Sequence, residues 1–315
     1  MPKKRRPRRG SLQYWPRKRA KRIYPKVNWK SNGMDDKKPR LLGFAAYKAG
    51  MTHVQYIKNG KPVTKAVTVL DSSPCFVCGM RFYQKTFNGL QSLGESWSKI
   101  PKNLEKKLGK YEVKKNFDFE KNSEKVDAIR LIICTRPEKS GLHKKKPELF
   151  EIGLGGGGIK EQYEYAKNLL GKEVNVNNVF RPGDFCDVTA ITKGHGFTGA
   201  VKRFGIKIQT RKDEQHHRHP GSVGSTTPRK IDWRVPLPGQ YGFFQRTEYN
   251  KRIIMINDDS KKINPKGGFI NYGLIPGQFI LVEGSVPGPK KRLIMLSMPR
   301  RKTKYEPVEI KYIFR

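Results

Sequence analysis

The chain has 315 residues and carries 66 Lys+Arg against 27 Asp+Glu, a formal net charge of +39 at neutral pH. A folded body with that much like charge repels itself until a polyanion neutralises it, and nucleic acid is the polyanion this balance points to. Four cysteines, at 75, 78, 134 and 186, are too few and too scattered for a disulfide scaffold, and no apolar run reaches the roughly 18 residues of a membrane span.

Hydrophobic residues are 36% of the chain and charged residues 30%, so a core is expected that serves only part of the length. Residues 1–40 read as a basic arm. Thirteen Lys and Arg fall in the first 30 positions, the first acid is Asp35, and Pro2, Pro7, Pro16, Pro25 and Pro39 break any helix. No apolar segment follows the basic N-terminus, which argues against a secretory leader. Tyr14, Trp15, Tyr24 and Trp29 interleave with the charges, a mixture suited to phosphate neutralisation with base or sugar stacking. A solubilising tail has no use for those four rings.

Residues 41–83 read as short strands, with Asn59-Gly60 marking a hairpin turn between alternating apolar runs. Acidic residues return over 84–180, with helical stretches near 101–109 and 159–170 and a strand at 128–135; this is expected to be an α+β insertion. Strand-like segments resume with GDFCDVTAIT (183–192) and close with RIIMIN (252–257), FILVEGSV (279–286) and RLIMLSM (292–298). Short strands on both sides of an insertion predict one small barrel built from 41–83 and 181–298. Between them, 194–250 reads as a long irregular extension in which only Asp213, Glu214, Asp232 and Glu248 oppose the Lys and Arg. So long a loop is either functional or ordered by a partner. The tail, 299–315, is expected to dock as a final strand.

Three motifs invite other chemistry. Gly153, Gly155 and Gly158 satisfy the dinucleotide fingerprint, with Glu173 twenty residues beyond the first glycine. No repeated βαβ units follow, so a hinge before a helix is the better reading. Cys75 and Cys78 have zinc-ligand spacing but lack a second ligand pair. His216, His217 and His219 cluster among Arg211, Lys212 and Arg218, a positive setting that disfavours a metal and suits RNA backbone. No catalytic motif is found, and neither a metal, a cofactor nor a small-molecule substrate is expected.

The run FRPGDFCDVTAITKGHGFTGAVKRFG (180–205) resembles the signature of the large-subunit ribosomal protein L-three family at Phe180, Asp187, Ala190, Thr192, Gly194, His195, Gly196, Gly199 and Arg203. The opening PRRGSLQYWPRKRAKRIYP and the later HPGSVGSTTPRKIDWRVPLPGQYG are similar to its archaeal and eukaryotic form. The resemblance implies a mainly β fold, a translation-protein-type β-barrel with an α+β insertion and long basic N-terminal and central-loop extensions. It implies a structural, non-enzymatic constituent of the large subunit that binds rRNA beside neighbouring ribosomal proteins in the cytoplasm. Any structural Mg2+ would belong to the rRNA. The central extension would approach the peptidyl-transferase centre with a tip at Gly224, Ser225, Thr226, Thr227 and Pro228; eukaryotic members carry a tryptophan where this chain has Thr226.

The expected rRNA contacts in the arm are Arg5, Arg6, Arg8, Arg9, Trp15, Arg17, Lys18, Arg19, Lys21 and Arg22. Those in the extension are Lys193, His195, Lys202, Arg203, Lys207, Arg211, Lys212, His216, His217, Arg218, Arg229, Lys230, Trp233 and Arg234. Arginine forks are expected on phosphates, and glycines where backbone meets RNA closely.

Overall fold

A computed structural model describes residues 8–29, 38–58, 60–101, 104, 116–227, 229–301 and 303–314. Arg5, Arg6, Asn59, Pro228 and most of the expected helix over 101–109 lie outside the described residues. In chain order the strands and helices are β1 (Arg40–Leu41), β2 (Gly43–Lys58), β3 (Lys61–Asp71), β4 (Cys75–Thr86), β5 (Gly89–Trp97), α1 (Phe119–Asn122), β6 (Ala128–Thr135), β7 (Leu149–Gly155), α2 (Ile159–Leu169), β8 (Glu173–Val174), β9 (Phe185–Ile191), β10 (Gly194–Thr198), α3 (Ala200–Phe204), β11 (Gly239–Gly242), β12 (Gln245–Asn257), β13 (Phe279–Glu283), β14 (Leu293–Ser297) and β15 (Glu309–Ile313). The fold is mainly β, as the resemblance implies. The chain divides into a larger unit, Ile23–Ala190 with Arg246–Arg315, and a smaller one, Met1–Arg22 with Ile191–Gln245.

In the larger unit one sheet runs β14-β9-β12-β13-β3-β2, and β14 pairs back onto β2, so the sheet closes into a six-stranded barrel. Closure removes the free edges an open sheet would expose. Its strands β9, β13 and β14 are short and rich in Val, Ile, Leu and Phe, and β13 and β14 bury four of five residues each. Ile294 on β14 is flanked by Ala46 on β2 and Ala190 on β9, a large side chain between two small ones in a narrow interior. β2 and β3 form the hairpin expected around Asn59-Gly60, with Lys58 paired to Lys61. β15 pairs with the C-terminal part of β2, beyond the residues paired to β14, so the tail does dock as a strand. The buried Arg252 helps hold that tail. Its guanidinium donates to the Tyr56 hydroxyl at 2.8 Å and pairs with Glu283 and with Glu306 of the tail.

The second sheet runs β1-β7-β6-β4-β5, with β8 on β4. Here β4 departs from expectation. It pairs β5 and β6, not a barrel strand, so the first barrel segment ends at Asp71 instead of residue 83. Alternating apolar residues read the same in either sheet, and periodicity cannot name a pairing partner. The α2 helix packs against this sheet; Tyr163 stacks on Phe119 of α1, with ring centroids 4.0 Å apart.

The glycine run belongs to this packing. Gly153 and Gly155 are strand residues of β7. A Cβ at Gly153 would lie 2.5 Å from Cβ of Trp29, and one at Gly155 would lie 2.6 Å from Cδ2 of Leu42. Gly158 is the N-cap of α2, its N–H donating to the Glu161 carboxylate at 3.3 Å. Glu173 pairs with Arg136 and Lys139. Every element of the apparent nucleotide fingerprint is therefore engaged within the protein.

In the smaller unit β10 and β11 form a two-stranded antiparallel ladder. The α3 helix follows, starting after Gly199 and ending at Gly205, whose φ of 63° is the left-handed C-terminal cap. The 194–250 stretch is thus less irregular than its sequence predicts. It holds β10, α3, β11 and the first part of β12, with one 3-10 turn at Arg211–His216. The glycines of GHGFTG hid β10: its register shifts between Gly194 and Phe197, an irregularity that breaks simple alternation.

Candidate nucleic-acid interface

The smaller unit holds 21 Lys and Arg against three acids, Asp213, Glu214 and Asp232, in 77 residues; the rest of the chain holds 45 against 24. What organises it is an aromatic knot. Trp15 of the arm stacks on Phe204 of α3, centroids 5.8 Å apart, and meets Trp233 edge-on at 5.3 Å. The Arg17 guanidinium lies over the Phe204 ring at 4.1 Å and donates to the Arg203 carbonyl at 2.8 Å. Arg203 in turn donates to the carbonyls of Leu237 at 2.8 Å and Gln240 at 3.0 Å. The arm is stitched to the extension again by Ala20 N–H on the Phe243 carbonyl at 2.9 Å and by Arg8 on the Arg234 carbonyl at 3.4 Å.

Several residues expected at the rRNA surface also have partners within the protein. Trp15, Arg17 and Arg203 are half-buried and spend their rings and donors inside the unit. Burial also lowers the Arg203 pKa below the usual guanidinium value. The Trp15 indole N–H has no acceptor among the described residues. Two further arm aromatics pack against the larger unit's core: Tyr24 lies 6.3 Å from the Phe150 ring, and Trp29 lies against Gly153 and Gly43. A flat ring buries more apolar area against glycine backbone than it keeps in water, so these rings fix the chain's path. Tyr14 stays exposed.

Most of the expected basic contacts do face solvent: Arg8, Arg9, Lys18, Arg19, Lys21, Arg22, Lys193, Lys202, Lys207, Arg211, Lys212, Arg218, Arg229, Lys230 and Arg234. His195 is exposed and stacks on Tyr241 at 5.1 Å. Trp233 is 56% exposed beneath the Arg234 guanidinium, which stands 5.5 Å above its ring. At the expected tip, Gly224, Ser225 and Thr226 join Arg229, Lys230 and Asp232 around an open concavity of about 360 Å3. Thr227 accepts there, through its carbonyl, from the Ser225 hydroxyl at 2.7 Å.

Four exposed apolar side chains on this basic unit escaped the sequence reading: Phe197, 79% exposed on β10, with Leu12, Ile208 and Ile231. The signal was an aromatic between glycines in a cationic segment. His216, His217 and His219 are exposed, with His216 and His219 3.3 Å apart through their Nδ1 atoms. No group of three or more metal-ligating side chains occurs among the described residues. All four cysteines are buried thiols, and burial pushes Cys75 and Cys186 well above the usual thiol range.

Arranged this way, the unit presents a dense cationic surface with stacking-capable rings, on a framework tied by arginine–carbonyl bonds. Residues 1–313 match the family model for Ribosomal protein L3. Curated relatives share 44–45% identity nearly end to end. A Methanopyrus kandleri large ribosomal subunit protein uL3 is 44% identical over 98% of this chain and 90% of its own length. Its Methanococcus maripaludis (strain C7) counterpart is 45% identical over 99% and 97%. That of Methanocorpusculum labreanum is 44% identical over 94% and 92%. The chain therefore belongs to the ribosomal protein L3 family, structural constituents of the large ribosomal subunit.

Proposed function

We propose that this chain binds large-subunit rRNA in the cytoplasmic ribosome, chiefly through the smaller unit, and supports subunit assembly without itself being an enzyme. The observation that carries this reading is the segregation of charge: 21 cations against three acids on a unit organised around Trp15. Such a surface is self-repelling in isolation and is neutralised by phosphates. The exposed cations position the protein on the backbone, while rings such as Trp233 and Tyr14 suit unpaired bases. By the family resemblance, the Gly224–Thr227 tip with Pro228 approaches the peptidyl-transferase centre. Neighbouring large-subunit proteins complete the surroundings of the larger unit.

Filter binding of the full chain to protein-free large-subunit rRNA across a salt series tests this. Replacing Arg229 and Lys230 by Ala is expected to weaken binding and to flatten the dependence of log Kd on log salt by about one to two units, since each lost phosphate contact removes about 0.7–0.9. The thermal transition should stay in place, because both side chains are exposed. Unchanged affinity and slope would remove the tip from the interface.

A further inference from the structure

A second exposed cation–aromatic pair lies on the larger unit. Tyr249 on β12 is 42% exposed, and the Arg301 guanidinium stands 5.0 Å from its ring centroid. What brings them together is the buried carboxylate of Asp187 on β9. One oxygen accepts from the backbone N–H of Asn250 at 2.9 Å, and the other accepts from the backbone N–H of Arg300 at 3.0 Å. β9 lies between β12 and β14 in the barrel, so Asp187 ties β12 to the segment that follows β14. Each clamped residue is the chain neighbour of one member of the pair. Asn250 takes a positive φ of 53°, so the strand is irregular where Tyr249 is presented.

The surroundings are cationic. From Gly284 to Tyr305 there are seven Lys and Arg and no acid. Glu248, next to Tyr249, is paired with Lys251 at 2.7 Å. The guanidinium of Arg300 is occupied, donating to the Asn28 carbonyl at 3.0 Å. Among the described residues Arg301 has no such anchor beyond the ring it covers, and its side chain is exposed.

We propose that Tyr249 and Arg301, positioned by Asp187, form a nucleotide platform on the barrel: an unpaired RNA base stacks on the ring, and its phosphate pairs with the guanidinium. This rests on the reading that the chain binds large-subunit rRNA and adds a contact outside the smaller unit, on the barrel strand β12. An exposed ring under a guanidinium is the chemistry that recognises a single unstacked nucleotide.

The test is the same filter-binding assay with the full chain at a fixed, stated salt concentration and then across a salt series. Tyr249→Ala is expected to weaken rRNA binding about ten-fold, and Tyr249→Phe to leave it near the parent value, because stacking needs the ring and not the hydroxyl. Arg301→Ala is expected to lower the salt slope by about one, and Arg301→Lys to restore it. Should Tyr249→Ala lose its thermal transition, the exposed Arg301 variants decide alone. Parent affinity and slope in Tyr249→Ala and Arg301→Ala, with Arg229→Ala/Lys230→Ala still weakened, would overturn the platform and leave the rRNA reading intact. That result would assign the pair to a protein neighbour. Failure of the parent chain to bind rRNA would overturn both.

Discussion

Trp29 can lie flat on β7 because position 153 has no side chain. A methyl group there would sit 2.5 Å from the Trp29 Cβ, on strand backbone that cannot swing away. Gly153→Ala is therefore expected to destabilise the larger unit by about 1–3 kcal/mol, the usual cost of overpacking, measured as a lower urea midpoint. A nucleotide-loop role for the same glycine predicts the opposite pattern, unchanged stability with lost ATP or NAD binding. Asp71 gives a second, pH-dependent case. Burial raises its carboxyl pKa, even though Tyr272 O–H at 2.7 Å and Gly141 N–H at 3.0 Å donate to it. A folded-state pKa above the unfolded value means the folded chain holds the proton more tightly. Stability then falls as pH rises from about 4, the ordinary Asp value, through the raised one. Asp71→Asn should remove that fall, so urea unfolding at pH 4.5 and pH 7 should show the variant gaining on the parent as pH rises. Parallel behaviour of the two proteins would show that Asp71 does not titrate in this window.

The elements differ in how firmly backbone bonds hold them. Barrel strands are laddered on both sides, whereas between β10–α3 and β11 the chain makes only scattered bonds, such as Gln209 N–H to the His217 carbonyl and Val235 N–H to the Asp232 carbonyl. In free protein, amides over 218–231 should exchange rapidly and those of β3, β13 and β14 slowly. Uniform protection across 218–231 would mean that the extension is ordered without RNA. The barrel strands could be read from runs such as FILVE and LIMLS, and α2 from the stretch after the glycines, because burial on a regular period leaves a regular pattern. The partner of β4 could not be read, since its apolar alternation suits either sheet. Nor could the packing of Trp15, Trp29, Arg17 and Arg203: contacts such as Trp15 with Phe204, Trp29 with Gly153 and Arg17 with Arg203 join residues more than a hundred positions apart, and composition shows only a ring or a cation. The arm therefore reads in sequence as a set of RNA contacts, while its structure spends three of its four aromatic rings and Arg17 on the protein itself.

For the molecule as a whole, charge is distributed unequally: 21 cations to three acids in the smaller unit, 45 to 24 in the larger. Many of the larger unit's acids are paired in the fold, as in Arg81 with Glu95 and Glu151. Its folding accordingly depends less on a polyanion than the smaller unit's solvation does. We propose that the chain sits in the large subunit as a threaded, rRNA-bound constituent. The most direct measurement is sucrose-gradient sedimentation of native lysate, followed by a high-salt wash of the large-subunit fraction. Phosphate contacts alone would weaken steeply with salt, but an extension threaded through folded RNA leaves slowly. Stoichiometric co-migration that survives the wash is the predicted result. Protein found free, or stripped completely by the wash, would mean that the extension is not threaded through rRNA.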